Sequence, residues 1–417
     1  MSVASTVLAR LGELRERQEE FYRDLHRNPE LSHHEHETAT KAAQWLRGLG
    51  LDVQAGIGGT GVVGILRNGD GPVVLLRADM DALPVTEQSG VDYASEATAS
   101  DENGHTVPVA HACGHDVHVA SLVAAVELLS RSPAQWNGTV VALLQPAEET
   151  ADGAAGMLDD GLAELIPTPD IALAQHVLAL PAGTLGVRSG PFLTAADSIR
   201  IIIHGRGAHG SMPQASVDPV VLAAHIVVRL QTIVSREIAP AETAVLTVGS
   251  IQAGTKSNVI PESAVLQLNI RTYSEQTRSA LFAAIRRIVD AECVASLSPK
   301  PAEYEVFDSF PLTANDTEAS ERVAAAFTTH FGEQNRPIEK QSASEDFSDI
   351  PNALGVPYVY WGIGGIDAEQ YAAAEAAGRV AQDIPVNHSP EFAPVIQPTL
   401  DTGTRALVVA ALAWLAK

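Results

Sequence analysis

NGTVVALLQPAEE, residues 137–149, decides the fold class. The run Val140–Leu144 has no polar residue at alternate positions, as it would if one face met water. It reads as a strand buried on both faces, the habit of parallel sheets covered by helices. Pro146 stops the strand, and Glu148 and Glu149 follow at once. Open α/β sheets bind ligands just beyond the C-terminal ends of their strands. DIALAQHV (170–177) repeats the theme and ends in Gln175-His176. TGVVGILRNGDGPVVLLRADMD (60–81) reads as two apolar strands joined as a hairpin at Asn-Gly-Asp-Gly, with Asp79 and Asp81 at the end of the second. Helical patterns stand between and before these strands. One covers 4–27 and stops at Asn28-Pro29, one covers 36–49 and closes at Gly50, and one starts at Asp116. Strands alternating with helices imply an α/β layer around a mainly parallel sheet.

Near residue 195 the pattern changes. DSIRIIIHGR (197–206), TAVLTVGSIQAG (243–254), ESAVLQLNIRTY (262–273) and AEYEVFDSF (302–310) read as strands. SVDPVVLAAHIVVRLQTIVSRE (216–237) and SEQTRSALFAAIRRIVDAECVASL (274–297) read as helices. The order is β-α-β-β-α-β, a ferredoxin-like α+β arrangement. The simplest organisation is a small domain, 195–308, inserted into a larger discontinuous one made of 1–194 and 309–417. No internal repeat is visible. The one compositionally biased stretch, 368–383, reads as a helix or a mobile loop.

A chain of 417 residues is too long for one small core, so two domains are expected. Apolar residues at 46% and charged residues at 19% exclude wholesale disorder. A formal charge of −24 repels phosphate backbones, which argues against a nucleic-acid partner. The first twenty residues read as an amphipathic helix, not an export signal, and no apolar run reaches membrane-spanning length. Cys113 and Cys293, the only cysteines, are too few for a disulfide framework, so a reducing, cytoplasmic setting is expected.

The richest chemistry sits in HACGHDVH, 111–118. Alone, the fragment admits a thiol nucleophile, a structural zinc clip, a hydrolytic metal centre, or a buried cysteine beside surface histidines. A nucleophile needs a depressed thiol pKa and a nearby base. A closed zinc site needs about four ligands, usually from paired clusters, and no second cluster is present. The rest of the chain tilts the choice. Glu148 and Glu149, His176, Asp79 and Asp81 all fall at strand ends, and His388 lies in VNHSPEF before the last helix. That set exceeds what one tetrahedral ion needs, and two ions about 3.5–4 Å apart would use it. Thiolate, imidazole and carboxylate together suit zinc, manganese or cobalt without choosing among them. One of the adjacent glutamates would bind metal and the other would accept a proton from water, in an order the residues alone leave open.

Other candidates have plainer readings. His33, His34 and His36 read as surface, and Glu35 and Thr38 as capping or scaffold residues. His111 reads equally as a neighbour of the ligands or as packing. His118, one helical turn from His115, reads as its support. His204 alternates with apolar residues and reads as structural. His209 follows a Gly-rich turn and reads as functional. Arg271 ends a strand and reads as a substrate ligand or an ion-pair partner. Cys293 reads as core.

RADMDALPV, HACGHDVH, QPAEE, AQHV, HGRGAHGSMPQASVDP, SNVIPE, SEDF and VNHSPEF, in that order, resemble the aminoacylase and hippurate-hydrolase family of dinuclear metallopeptidases, which includes plant indole-acetyl-amino-acid hydrolases. FLTAADSIRIIIHGRGAHGS and LQTIVSRE are also similar to aminoacylases that release acids from glutamine conjugates. The resemblance covers nearly the whole chain. It implies metal ligands at Cys113, His115, Glu149, His176 and His388, with Glu148 as general base and acid. It implies a zinc-hydrolase-type α/β catalytic domain with the ferredoxin-like insert as lid and dimerisation domain, forming a homodimer or homotetramer. His209 would help stabilise the oxyanion, Asn258 and Arg271 would hold the substrate's carboxylate or amide, and Asp81 and Asp116 would orient metal ligands. Gln214 stands where the family usually has histidine, which bears on the lid and not on the metals.

The implied activity is hydrolysis of the amide of an N-acyl amino acid, with N-acylglutamine conjugates among the substrates, using two divalent ions. The competing readings are a dipeptidase or aminopeptidase with the same metal site, and a metal-dependent binding protein without turnover. The presence of both Glu148 and Glu149 argues against the last.

Overall fold

The computed structural model describes residues 2–101 and 103–417. The chain folds into two compact units. The first comprises 1–190, 314–339 and 346–417, and the second 191–313 with 340–345.

Eleven strands carry the two main sheets. The first unit contributes β1 (Asp52–Ile57), β2 (Gly61–Asn68), β3 (Val73–Asp79), β4 (Gly138–Gln145), β5 (Ile171–Pro181) and β6 (Leu185–Val187). The second contributes β7 (Ala195–His204), β8 (Ala244–Ala253), β9 (Ser263–Thr272) and β10 (Glu303–Phe310), and the chain returns to the first unit for β11 (Tyr358–Ile366).

The large sheet runs β1-β2-β4-β3-β5-β11-β6. Its centre is parallel, through β4 with β3, β3 with β5 and β5 with β11. Its margins are antiparallel, through β1 with β2, β2 with β4 and β11 with β6. The sheet is therefore mixed, not mainly parallel. The hairpin expected at Asn68–Gly71 does not form. β2 and β3 are separated by β4, which is antiparallel to one and parallel to the other. Burial overrides the local turn signal here. Val140 to Leu144 are all 0% exposed, and β4 gains backbone partners on both edges by entering between the two.

The helix His115–Ser130 is buried along nearly its whole length and packs against Ile396–Leu415 and Leu11–Arg27. With Trp45, Leu46, Phe327 and Trp361 these helices and the sheet form one core. The expected N-terminal helix is two, Val3–Leu8 and Leu11–Arg27, and the break at Ala9-Arg10 has no sequence signal. The biased stretch 368–383 holds two short helices, Ala368–Ala376 and Val380–Asp383.

The second unit is a four-stranded antiparallel sheet, β8-β9-β7-β10, with helices Pro219–Arg236 and Glu275–Ala295. This is the ferredoxin-like order. Asp218 caps the first helix by accepting from the Val220 and Val221 N–H groups, and Ser274 caps the second through Thr277 N. Ile199, Ile201, Leu222, Ile226, Leu266 and Leu281 lie in its core, and so does Cys293. Helix Pro219–Arg236 is long and apolar enough by composition to cross a membrane, with a mean hydropathy of 1.2, against the sequence-based expectation. Its stripe Leu222, Ile226, Leu230 and Ile233 instead faces the core of this unit.

Candidate metal centre

The strand ends of the large sheet and the start of the buried helix converge on one group of side chains. Gly114 makes the turn into the helix with φ +84°, a left-handed conformation that L side chains rarely adopt. A Cβ there would stand 2.4 Å from Val177 Cγ1. His115 is the first residue of the helix and is fully buried. Its Nδ1 donates to the Asp81 carbonyl at 2.8 Å and lies 3.2 Å from Asp81 Oδ1. Its Nε2 is buried without a hydrogen-bond partner among the described residues. That atom stands 3.9 Å from Glu149 Oε1, 4.0 Å from Glu148 Oε2 and 3.8 Å from Asp79 Oδ2.

The remaining candidates join through short links. Cys113 Sγ lies 3.5 Å from His176 Nε2. His176 donates Nδ1–H to the Val177 carbonyl at 2.7 Å, which leaves Nε2 its lone pair. His388 Nε2 comes within 3.3 Å of Glu149 Oε1, an atom that has no hydrogen bond. Donor atoms of Cys113, Glu149 and His388 all lie within 4.8 Å of one another, as do those of His115, Glu148 and Glu149. His388 adopts a left-handed φ of 71°. Its N–H donates to the Ala112 carbonyl at 2.8 Å, and Asn387 Nδ2 bonds the carbonyls of Cys113 and Val177 at 3.1 and 3.0 Å. Asn387 thus ties three segments of the site together, a function not assigned from sequence.

The donor set fits divalent metal. Two buried acceptors, His115 Nε2 and Glu149 Oε1, face the cluster without a hydrogen-bond partner among the described residues. Burial pushes the Cys113 thiol well above its usual value, and Glu149 and Glu148 push it further. A thiolate there requires a cation, and a thiol nucleophile, which needs a lowered pKa, is disfavoured. Burial pushes the His115 imidazole down, but Asp79, Asp81 and Glu149 outweigh it and lift it to about 10, a pull that a dication would answer in place of the proton. Burial and the neighbouring His118 hold His176 well below its usual value, so its imidazole is neutral and able to serve as a ligand.

Behind the cluster, Asp81 also accepts from Ser32 Oγ at 2.7 Å and from the Glu149 N–H at 2.9 Å, so it steadies two candidate ligands at once. Asp79 is held by Arg77 at 2.6 Å and by His118 Nδ1. His118 Nε2 accepts from Val177 N–H at 2.9 Å, so both its nitrogens are occupied and it offers metal nothing. Asp116 differs from expectation. Its carboxylate bonds His26 Nδ1 at 2.6 Å and the Val117 N–H at 2.9 Å, and no candidate ligand. Successive helical residues point about 100° apart, so Asp116 cannot share the face of His115. His111 is buried, and neither ring nitrogen has a hydrogen-bond partner among the described residues. His34 and His36 are exposed, and exposed His33 reaches Asp152 at 3.0 Å.

His209, Asn258 and Arg271 belong to the second unit. His209 sits in a two-residue strand pairing with Val259, not in a free turn. Ser211 N–H donates to its Nδ1 at 3.1 Å, which leaves the proton on Nε2. The Asn258 carbonyl accepts from Gly210 N–H at 2.8 Å. Arg271, at the end of β9, bonds Asn269, the Ser342 carbonyl and Ser344 Oγ, and has no carboxylate partner among the described residues. Gln214 is exposed in a short turn.

The chain is similar to known proteins in both sequence and structure. Residues 75–383 match the profile of peptidase family M20/M25/M40. N-acetylcysteine deacetylase of Bacillus subtilis is 35% identical over 351 residues, covering 83% of this chain and 88% of that one. Hippurate hydrolase of Campylobacter jejuni is 36% identical over 340 residues, covering 79% and 83%. A Bacillus subtilis crystal structure described as a dinuclear metal binding peptidase superposes with a TM-score of 0.77 at 28% identity, covering 96% of this chain and 98% of that one.

Proposed function

The chain belongs to peptidase family M20/M25/M40, a metal-dependent amidohydrolase, and on that premise we propose that it hydrolyses N-acyl amino acids to a carboxylic acid and a free amino acid. N-acylglutamine conjugates are the finer substrate assignment, supported by sequence likeness alone. The observation that carries the reading is the pair of adjacent carboxylates, Glu148 and Glu149, at 4.0 and 3.9 Å from one unpartnered imidazole nitrogen. One can hold metal while the other handles protons.

In this reading Cys113, His115, Glu149, His176 and His388 hold two divalent ions, zinc or manganese, with cobalt also suited to the donors. When bound, such ions supply Lewis acidity, polarising the amide carbonyl and lowering the pKa of water from 15.7 toward ~7. Glu148, 6% exposed and outside the ligand set, takes the proton of the attacking water and returns it to the leaving amine. Asp81 keeps the His115 proton on Nδ1 and so turns Nε2 inward. His209, with its proton on Nε2, donates to the developing oxyanion, a contribution of about 3 kcal/mol for a good donor. Arg271 and Asn258 take the substrate carboxylate, and the second unit serves as the lid.

The same unit is the proposed dimer contact, with a tetramer as the larger alternative. β8 is an edge strand, and Ile251 on it and Val221 and Val228 on the helix Pro219–Arg236 are exposed. A cytoplasmic location is supported by the two free, buried cysteines.

Glu148→Gln is the test. The variant should bind the full complement of metal and lose turnover of N-acyl amino acids. Turnover near the parent rate would show that Glu148 is not the base. Unblocked dipeptides assayed alongside separate an aminoacylase from a dipeptidase.

A further inference from the structure

The turn that presents Glu148 and Glu149 is strained. Ala147 and Ala151, on either side of them, both have left-handed backbones, with φ of 51° and 61°. Non-glycine residues hold such conformations only when their surroundings enforce them. Three carboxylates grip the turn. Asp81 accepts from Glu149 N–H at 2.9 Å, and Asp346 accepts from Ala154 N–H at 3.0 Å. The third is Glu35, distant in sequence and 0% exposed, whose Oε1 accepts from Ala147 N–H at 2.9 Å. The same Oε1 accepts from His33 N–H at 3.0 Å, and Oε2 accepts from Thr60 Oγ1 at 2.6 Å. Glu35 is thus fixed by its own loop and by Thr60 before it meets the turn.

Asp81 anchors Glu149 directly, and Glu35 anchors the residue that precedes Glu148. We propose that Glu35 is a positioning residue for the hydrolytic reaction: its buried carboxylate holds Ala147 in the left-handed conformation and so aims Glu148. The inference rests on the assignment of Glu148 as base. It goes further in giving a role to a residue outside the ligand set and remote from it in sequence.

The alternative is that Glu35 only fills a polar hole in the core. Three substitutions separate the two. Glu35→Gln keeps Oε1 for Ala147 N–H, and the Thr60 hydroxyl can rotate to accept from the new amide. Glu35→Asp keeps the charge and withdraws it by one methylene. Glu35→Asp combined with Ala147→Gly supplies a residue that takes a left-handed φ without steric cost. Each is measured for kcat and KM on an N-acyl amino acid with added manganese, for metal per chain, and for hydrogen exchange of the peptide spanning 143–153.

Glu35→Gln is expected to stay within about threefold of the parent, the usual sign of a kept hydrogen bond. Glu35→Asp is expected to lose about 10- to 100-fold in kcat with metal content and KM little changed, as support residues around metal sites typically do. It should exchange faster over 143–153, and Ala147→Gly should restore most of the lost kcat. Glu35→Asp at the parent rate would overturn the proposal. So would a loss that Ala147→Gly leaves unrepaired, or the reverse order of Gln and Asp. If the parent itself hydrolyses no N-acyl amino acid, the functional reading fails instead, and the exchange data still report whether Glu35 holds the turn.

Discussion

His26 offers a sharp test of the buried electrostatics around Asp116. It is 1% exposed and lies between two carboxylates, with Nδ1 at 2.6 Å from Asp116 Oδ2 and Nε2 at 3.0 Å from Glu87 Oε1. Both nitrogens face acceptors, so the geometry asks for an imidazolium. Burial pushes its pKa down, but Asp116 and Glu87 more than offset that and raise it from 6.5 to about 9. At 1.36 kcal/mol for each tenfold change in proton affinity, the difference is worth about 3 kcal/mol. The folded chain holds this proton more tightly than the unfolded chain. The stabilisation is therefore complete below pH 6.5 and fades as pH climbs through 9. The lowered values of Asp116 and Glu87 describe the same attraction from the other side and add nothing to the sum. The perturbation is His26→Leu, compared with the parent by urea unfolding at pH 6, 7.5 and 10. The gap between the two proteins should shrink by about 3 kcal/mol from pH 6 to pH 10. A gap that stays constant over that range would mean that His26 acts by packing against Tyr22 and Tyr93 and not as a cation.

Arg77→Met removes the fully buried guanidinium that bonds Asp79 and Asp346, and breaking a buried ion pair by removing one partner typically costs about 3–5 kcal/mol; a urea midpoint within error of the parent would refute this. Gly114→Ala forces a Cβ to within 2.4 Å of Val177 at a left-handed position, so it should lose at least ~1 kcal/mol of stability and lower the metal content, read by thermal melting and elemental analysis. Cys113→Ala should keep the far-ultraviolet dichroism of the parent and bind fewer than two ions per chain, and a full complement would remove Cys113 from the ligand set. Val221→Lys with Ile251→Lys should shift the sedimenting species to monomer if the second unit makes the proposed dimer.

Much of the fold was legible because burial writes itself into apolar runs. β4 and β5 are largely buried, and no polar alternation competes with that reading. The ferredoxin-like unit was legible for the opposite reason. β9 alternates buried and more exposed positions along its whole length, and the two long helices carry ordinary caps at Asp218 and Ser274. Strand order was not legible. The Asn-Gly-Asp-Gly connection carries a strong hairpin signal, yet strands two positions apart can be joined by the same turn residues once a third strand enters between them. Nothing local in 60–81 records that β4, much later in the chain, will arrive there. Lys340–Glu345 is a similar case. It belongs to the second unit through bonds such as Gln341 N–H to the Phe192 carbonyl, a pairing with no periodic signature.

The site shows the same division between what a residue is and what holds it. The side chains that the geometry brings together, Cys113, His115, Glu148, Glu149, His176 and His388, all carry chemistry that sequence reading searches for. Their supports do not. Asn387 and Ser32 are residues of no special type, and each acts through a bond to a backbone carbonyl or a carboxylate far away in sequence. Asp116, which the family resemblance implied as a support for the ligands, lies beside His115 in sequence but is turned from it by the helix and bonds His26. Proximity along a helix therefore predicts shared function at spacings of three or four residues, as His115 and His118 show with ring centroids 5.4 Å apart, and fails at a spacing of one. Helical spacing applied to HACGHDVH retains His118 as a support and drops Asp116. Asp79, wedged between His118 and Arg77, then follows as the link from the helix to the sheet.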